Sequence, residues 1–313
     1  MNSPAPFFHR AGKTSPRSGV GKQESPTMKK YVSLLFTALA GGGLSLILRL
    51  AQNRTGFEPD TGLPIPGNLF ALVLPVVLAV LAAAAALLCR ALPSEKEDTP
   101  GSFPDYFQAR DTLTPTLLVT GVFLWLLSGG LELITALAYR QGLLLGLLSA
   151  DRMFSPMLNM LSGALTILSA LALFPVISAC RTGGKHASAS PERRPLNSNL
   201  LLVPVAALVL RLVLMYREDS VNPSVSAYYV GLLALSALIL SFYRASSFGF
   251  HCGRTRRFAV YSLWALMLGI AALADSRSPA AALLTLGGIL LVTGLLLMRF
   301  AALTHEPAKP KEE

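Results

Sequence analysis

Charge is scarce in this 313-residue chain: Asp, Glu, Lys and Arg make up 14% of it, against about 25% in an ordinary soluble domain. That shortage argues against a soluble globular protein. Cysteine is scarce as well, with Cys89, Cys180 and Cys252 the only three. None stands in a CxxC or other metal-ligand spacing, so they read as reduced, small apolar residues near helix ends. The four histidines, His9, His186, His251 and His305, all fall on the side that holds both tails, and no Ser-His dyad or His-based metal site is evident. There is no HExxH and no GxSxG. Arg181-Thr182-Gly183-Gly184-Lys185 resembles a phosphate loop only superficially, because Ala179 stands where the first glycine is needed and His186 follows the lysine. No cofactor and no metal site is expected.

Apolar residues, 52% of the chain, gather into eight runs of the length needed to cross a hydrocarbon core about 30 Å thick. The runs extend from about Tyr31 to Leu50, Leu69 to Cys89, Pro115 to Tyr139, Met157 to Cys180, Leu200 to Tyr216, Ser226 to Tyr243, Phe258 to Ala274 and Pro279 to Met298. They predict an all-α polytopic integral membrane protein of about eight transmembrane helices. Ala38-Leu39-Ala40 in the first run matches a signal-peptidase site, but the apolar run continues beyond it and reads as an uncleaved helix. Pro75, Pro175 and Pro204 fall inside runs and predict kinks. The apolar segment 141–150, with Gly142 and Gly146 spaced for close helix approach, is too short to cross.

Residues 1–29 form a basic tail rich in Pro, Ser and Gly, and Met28 also reads as a start. A single transmembrane domain follows over 30–299, then a charged tail over 300–313. The net charge of +10 does not point to nucleic acid, because the basic residues sit in short tails and loops beside the runs. Twenty of the 27 Lys and Arg fall on the side holding both tails, five on the other side, and Arg49 and Arg211 inside runs. This bias predicts that both termini are cytoplasmic. Tyrosines at run ends, including Tyr31, Tyr139, Tyr228 and Tyr243, fit an interfacial belt. The expected location is a plasma, or inner, membrane, with the lipid bilayer as the first partner. Asn53-Arg54-Thr55 forms a glycosylation sequon on the predicted outer side.

Arg49 and Arg54 near the end of the first run are matched by Arg211 and Arg217 in the fifth. Leu124-Trp125 with Glu132 in the third is matched by Leu263-Trp264 with Asp275 in the seventh. These matches point to a parallel 4+4 internal repeat with halves 30–180 and 199–299.

Charges inside a membrane run cost about 2.5 to 3.5 kcal/mol each at the helix centre and therefore pair, line water or serve function. Arg49, Glu132 and Arg211 are the three, and they are the candidate substrate-binding residues: the arginines to hold an anionic group, Glu132 as counter-charge or proton carrier. The expected function is a transporter or permease-like protein for a small, anionic solute. The alternative is a non-catalytic membrane component, such as a sensor, assembly factor or complex subunit, with a protein partner in the membrane. In that case the three charges are structural, with Glu132 paired to Arg49 and the arginines reaching outward to headgroups. A third reading, an enzyme using Glu132 or Asp275 as an acid on the outer side, lacks any accompanying motif.

Overall fold

The computed structural model describes residues 26–58, 61, 63–92, 103–109, 111–140, 155–182, 198–220, 225–276 and 278–304. Segment 141–150, residues 1–25 of the tail, residues 183–197 and the tail from 305 on lie outside the described residues. Nine α-helices are described: α1 (Pro26–Thr55), α2 (Leu69–Leu88), the short α3 (Phe103–Tyr106), α4 (Leu113–Arg140), α5 (Pro156–Thr182), α6 (Val203–Asp219), α7 (Tyr229–Gly249), α8 (Thr255–Ala272) and α9 (Pro279–Leu303). All but α3 are long and apolar enough to cross a membrane, and no strand occurs among the described residues. The chain is therefore a multi-pass membrane protein. Phe36, Leu72 and Met157, each more than 70% exposed, belong to the apolar outer surface such a bundle presents to lipid.

Tyr31 near the start of α1 stacks on Phe300 near the end of α9, with ring centroids 4.7 Å apart. Both chain ends of the described bundle thus lie at one end of it, called here the terminal end; the opposite one is the distal end. Helices α7, α8 and α9 are the most enclosed, and α1 and α2 lie at the periphery.

Helix α4 is held between α5 and α9 by glycine pairs. A Cβ on Gly129 would meet the Gly163 carbonyl oxygen of α5 at 2.7 Å, and one on Gly121 would meet that of Gly287 in α9 at 2.9 Å. Lipid tails are as apolar as leucine, so helix association here relies on close backbone approach and dispersion contacts. Beside these contacts the Trp125 indole donates to the Leu284 carbonyl at 3.0 Å and Ser128 Oγ to that of Ala280 at 2.7 Å. Both tie α4 to the first turns of α9.

Three expectations change. Pro204 lies in the first turn of α6 rather than in its interior, where no intrahelical donor is required of it. Tyr228 turns inward and is only 6% exposed. Arg299, one of the twenty basic residues placed on the side of both tails, is buried at the terminal end. It donates through Nε and Nη2 to Thr255 Oγ1 at 2.9 and 2.8 Å and lies over the Phe248 ring, its guanidinium carbon 5.2 Å from the centroid. The Phe103, Phe107, Phe248 and Phe258 rings pack around one another beside it.

The glycine pairs make a direct prediction. Gly129→Ala should lower thermal stability in detergent by about 1–3 kcal/mol through overpacking. Gly130→Ala, whose added Cβ meets nothing within 4 Å, should be neutral or stabilising by up to about 1 kcal/mol. Equal melting temperatures for the two variants would contradict the close approach of α4 and α5.

Candidate functional site

The distal end carries most of the buried charge, and its centre is Arg49. This residue is fully buried and donates through all three guanidinium nitrogens. Nε reaches both carboxylate oxygens of Asp275 at 2.8 and 3.0 Å, Nη1 reaches Gln52 Oε1 at 2.7 Å and the Ser226 carbonyl at 2.9 Å, and Nη2 reaches the Ala227 carbonyl at 2.8 Å. Its guanidinium carbon also lies 5.5 Å from the centroid of the Tyr229 ring. Asn53 adds bonds of 2.9 Å to Asp275 Oδ1 and 3.3 Å to the Ala274 carbonyl. Arg49, Gln52 and Asn53 stand at i, i+3 and i+4, one face of α1. That face clamps the turn entering α7 and the 3-10 turn Leu273–Asp275 that ends α8.

Glu132 of α4 forms an ion pair with Arg211 of α6, not with Arg49. Glu132 is 7% exposed, and the Ser162 hydroxyl of α5 lies against it without a hydrogen bond of normal geometry. Helices α4 and α6 do not pack along their lengths; the ion pair bridges the space between them.

That space belongs to a partly open cavity of about 540 Å³, within the range of small-molecule sites. Glu132 and Thr135 of α4, Asn159 of α5, Arg211, Met215, Glu218 and Asp219 of α6 and Tyr228 line one part of it. Leu235 and Leu238 of α7, Asp275, and Ser278, Leu284 and Thr285 at the start of α9 line the rest. Arg211, Met215 and Glu218 share a face of α6 at i, i+4 and i+7, which explains why a single helix supplies both signs of charge. Glu218 accepts from the Asn159 amide at 3.4 Å.

The three residues singled out in the sequence therefore separate. Glu132 and Arg211 meet in the cavity wall, whereas Arg49 stands behind Asp275 and does not line the cavity. Glu218, Asp219, Asn53 and Gln52 were not anticipated as site residues. The polar spacing of 49, 52 and 53 at the end of an apolar helix was the signal for an inward-facing stripe; nothing local to Glu218 and Asp219 marked them as more than loop charges. Among the described residues, no group of three or more His, Cys, Asp or Glu is placed to hold a metal ion. No family model, no curated protein and no solved structure matches the chain.

A double-mutant cycle in nanodiscs separates the two ion pairs. Arg49→Gln and Asp275→Asn should each cost about 3–5 kcal/mol, because each leaves a buried partner uncompensated. The double variant should cost well below the sum of the two. Arg49→Gln combined with Glu132→Gln should be additive within about 0.5 kcal/mol. Strong coupling of Arg49 to Glu132, with none to Asp275, would contradict the pairing.

Proposed function

We propose that this multi-pass membrane protein binds a small polar solute in the distal cavity and moves it across the membrane, in the manner of a transporter or permease. The observation that carries the reading is the Glu132–Arg211 pair in the wall of a 540 Å³ cavity within a membrane bundle. Charge placed there is costly unless it pairs, lines water or serves a function, and this pair does the first beside a space large enough for a solute. In this reading Glu132 and Arg211 contact the solute, and Arg49 is a positioning residue that fixes Asp275 in the wall. Both termini lie in the cytoplasm of a cell with the protein in its plasma, or inner, membrane, as the charge bias argues. The cavity then faces outward.

A second reading has an observation of its own. Arg49 donates to protein acceptors through all three guanidinium nitrogens, which is how a structural charge behaves, and a non-catalytic membrane component would need nothing more of it. The two readings part at Glu132 and Arg211. In a transporter the doubly neutralised Glu132→Gln/Arg211→Gln variant stays folded and loses solute handling; in a structural component it loses stability or partner association.

Thiol labelling in intact cells tests the cavity and its sidedness together. Cys252 is exposed at the terminal end, whereas Cys89 and Cys180 are buried. The unaltered protein should therefore react with an impermeant thiol reagent only after the cells are opened, and Thr135→Cys should add a site that reacts from outside. External labelling of Cys252 would reverse the orientation. Failure of Thr135→Cys to label from either side would remove the cavity as a solute site.

A further inference from the structure

We propose that the face of α8 between α2 and α7 at the terminal end binds the phosphate of one anionic phospholipid, held by Arg244 of α7 and Arg257 of α8. The proposal concerns the lipid-facing side of the bundle and does not depend on the distal cavity, on transport or on which side is cytoplasmic.

Arg244 is held by rings rather than by hydrogen bonds. Its guanidinium carbon lies 5.5 Å from the centroid of the Tyr243 ring and 5.8 Å from that of the Tyr261 ring of α8. Its Nε is buried without a hydrogen-bond partner, and no acidic side chain among the described residues pairs with it. Tyr261 is fixed in turn: its ring meets that of Trp264 edge-on at 5.6 Å, and the Trp264 indole donates to the Ala82 carbonyl of α2 at 3.0 Å. Three helices thus set one guanidinium in place without neutralising it. An anion is the missing partner, and the terminal Nη1 and Nη2 donors have the planar spacing that suits two oxygens of one phosphate.

Position selects a lipid as the source of that phosphate. Helix α7 ends at Gly249 and α8 begins at Thr255, so Arg244 and Tyr261 stand about 8 and 9 Å inside the terminal ends of their helices. That is near the boundary of headgroups and acyl chains, where Tyr and Trp concentrate and an unpaired charge is costly. Arg257 is exposed one turn nearer the end, on the face of α8 that carries Tyr261 and Trp264 at i+4 and i+7, and brings a second guanidinium. In the other direction the Arg244 face of α7 carries the exposed Leu240 and Leu233, an apolar track for acyl chains. Helix α2 joins α7 and α8 in an apolar cluster nearer the distal end, through Leu78, Ala234 and Ala271, yet does not pack along α7; Tyr261 and Trp264 remain partly exposed. Charge selects the anionic class: two guanidiniums repel the ammonium that a zwitterionic headgroup carries beside its phosphate, and phosphatidylglycerol carries none.

The chain has two tryptophans, Trp264 at this face and Trp125 buried against α9, so fluorescence quenching by brominated acyl chains reads lipid at the site. The full-length protein is placed in phosphatidylcholine nanodiscs carrying a fixed minor share of brominated phosphatidylglycerol or of brominated phosphatidylcholine, and Trp264→Phe gives the residual signal of Trp125. Phosphatidylglycerol should be favoured at Trp264 about fivefold or more, the scale of one or two basic side chains at a charged surface. Arg244→Gln should bring that ratio near unity. Arg257→Gln, at an exposed position that folding does not require, should lower it. Arg181→Gln removes a charge from the same end on α5, which does not pack along α8, and should leave the ratio unchanged. Glycerol phosphate added in solution should not relieve the quenching. Equal quenching by the two lipids would overturn the proposal, as would a preference kept in both Arg244→Gln and Arg257→Gln. A preference lost equally in Arg181→Gln would replace the site with the general basic charge of that end. Relief by glycerol phosphate would make the ligand a soluble phosphate and overturn the lipid assignment.

Discussion

The distal end of the bundle depends on one buried guanidinium. Arg49 carries a full charge where water does not reach, and a charge of that kind persists in a fold only if its surroundings replace hydration bond for bond. They do so from three directions: Gln52 on its own helix, the carbonyls of Ser226 and Ala227 before α7, and the carboxylate of Asp275 after α8. Carbonyls at such turns lack the intrahelical partners that satisfy the rest of a membrane helix. The arginine thus solves two problems at once, its own desolvation and theirs. It also sets Asp275 and the start of α7 in place, and both belong to the cavity wall.

Opposing packing regimes meet around α4. Toward α5 and α9 the helix approaches so closely that no side chain intervenes at Gly129 and Gly121. Toward α6 there is a gap, crossed by Glu132 and Arg211. The close contacts give α4 a rigid base, and the ion pair spans the open side. A bundle packed uniformly tightly would leave no cavity, and one packed loosely throughout could not hold Glu132 in register with its partner. At the terminal end Arg299 performs a local version of the Arg49 task, donating to Thr255 beneath a cluster of phenylalanine rings.

Helix number and limits were legible in the sequence because both follow from the length of an apolar run: the eight runs differ from the observed helices by a few residues at their ends. The costly charges were legible for the same reason, since Arg49, Glu132 and Arg211 interrupt runs that otherwise exclude charge. Partner identity was not. Asp275 lies 226 residues from Arg49 and Glu132 lies 79 from Arg211, and no periodicity carries information across such separations. The structural alternative read from sequence paired Glu132 with Arg49, whereas its partner is Arg211. The matches between spans one and five and between three and seven did single out the four residues that pair, Arg49 with Asp275 and Arg211 with Glu132, each pair crossing between the halves. The helix neighbours do not repeat in the same way, since α4 packs along α9 while α8 has no corresponding contact with α5.

The central claim is that Arg49 fastens the distal turns and, through them, the cavity wall. Amide hydrogen exchange in nanodiscs tests it most directly, comparing the unaltered protein with Arg49→Gln. Local opening is read residue by residue in such an experiment. The account predicts faster exchange at 225–231 and 273–276, with protection unchanged along the glycine-paired stretch of α4 from Gly121 to Gly129. Unchanged exchange at both turns, or an equal loss of protection throughout the bundle, would contradict it.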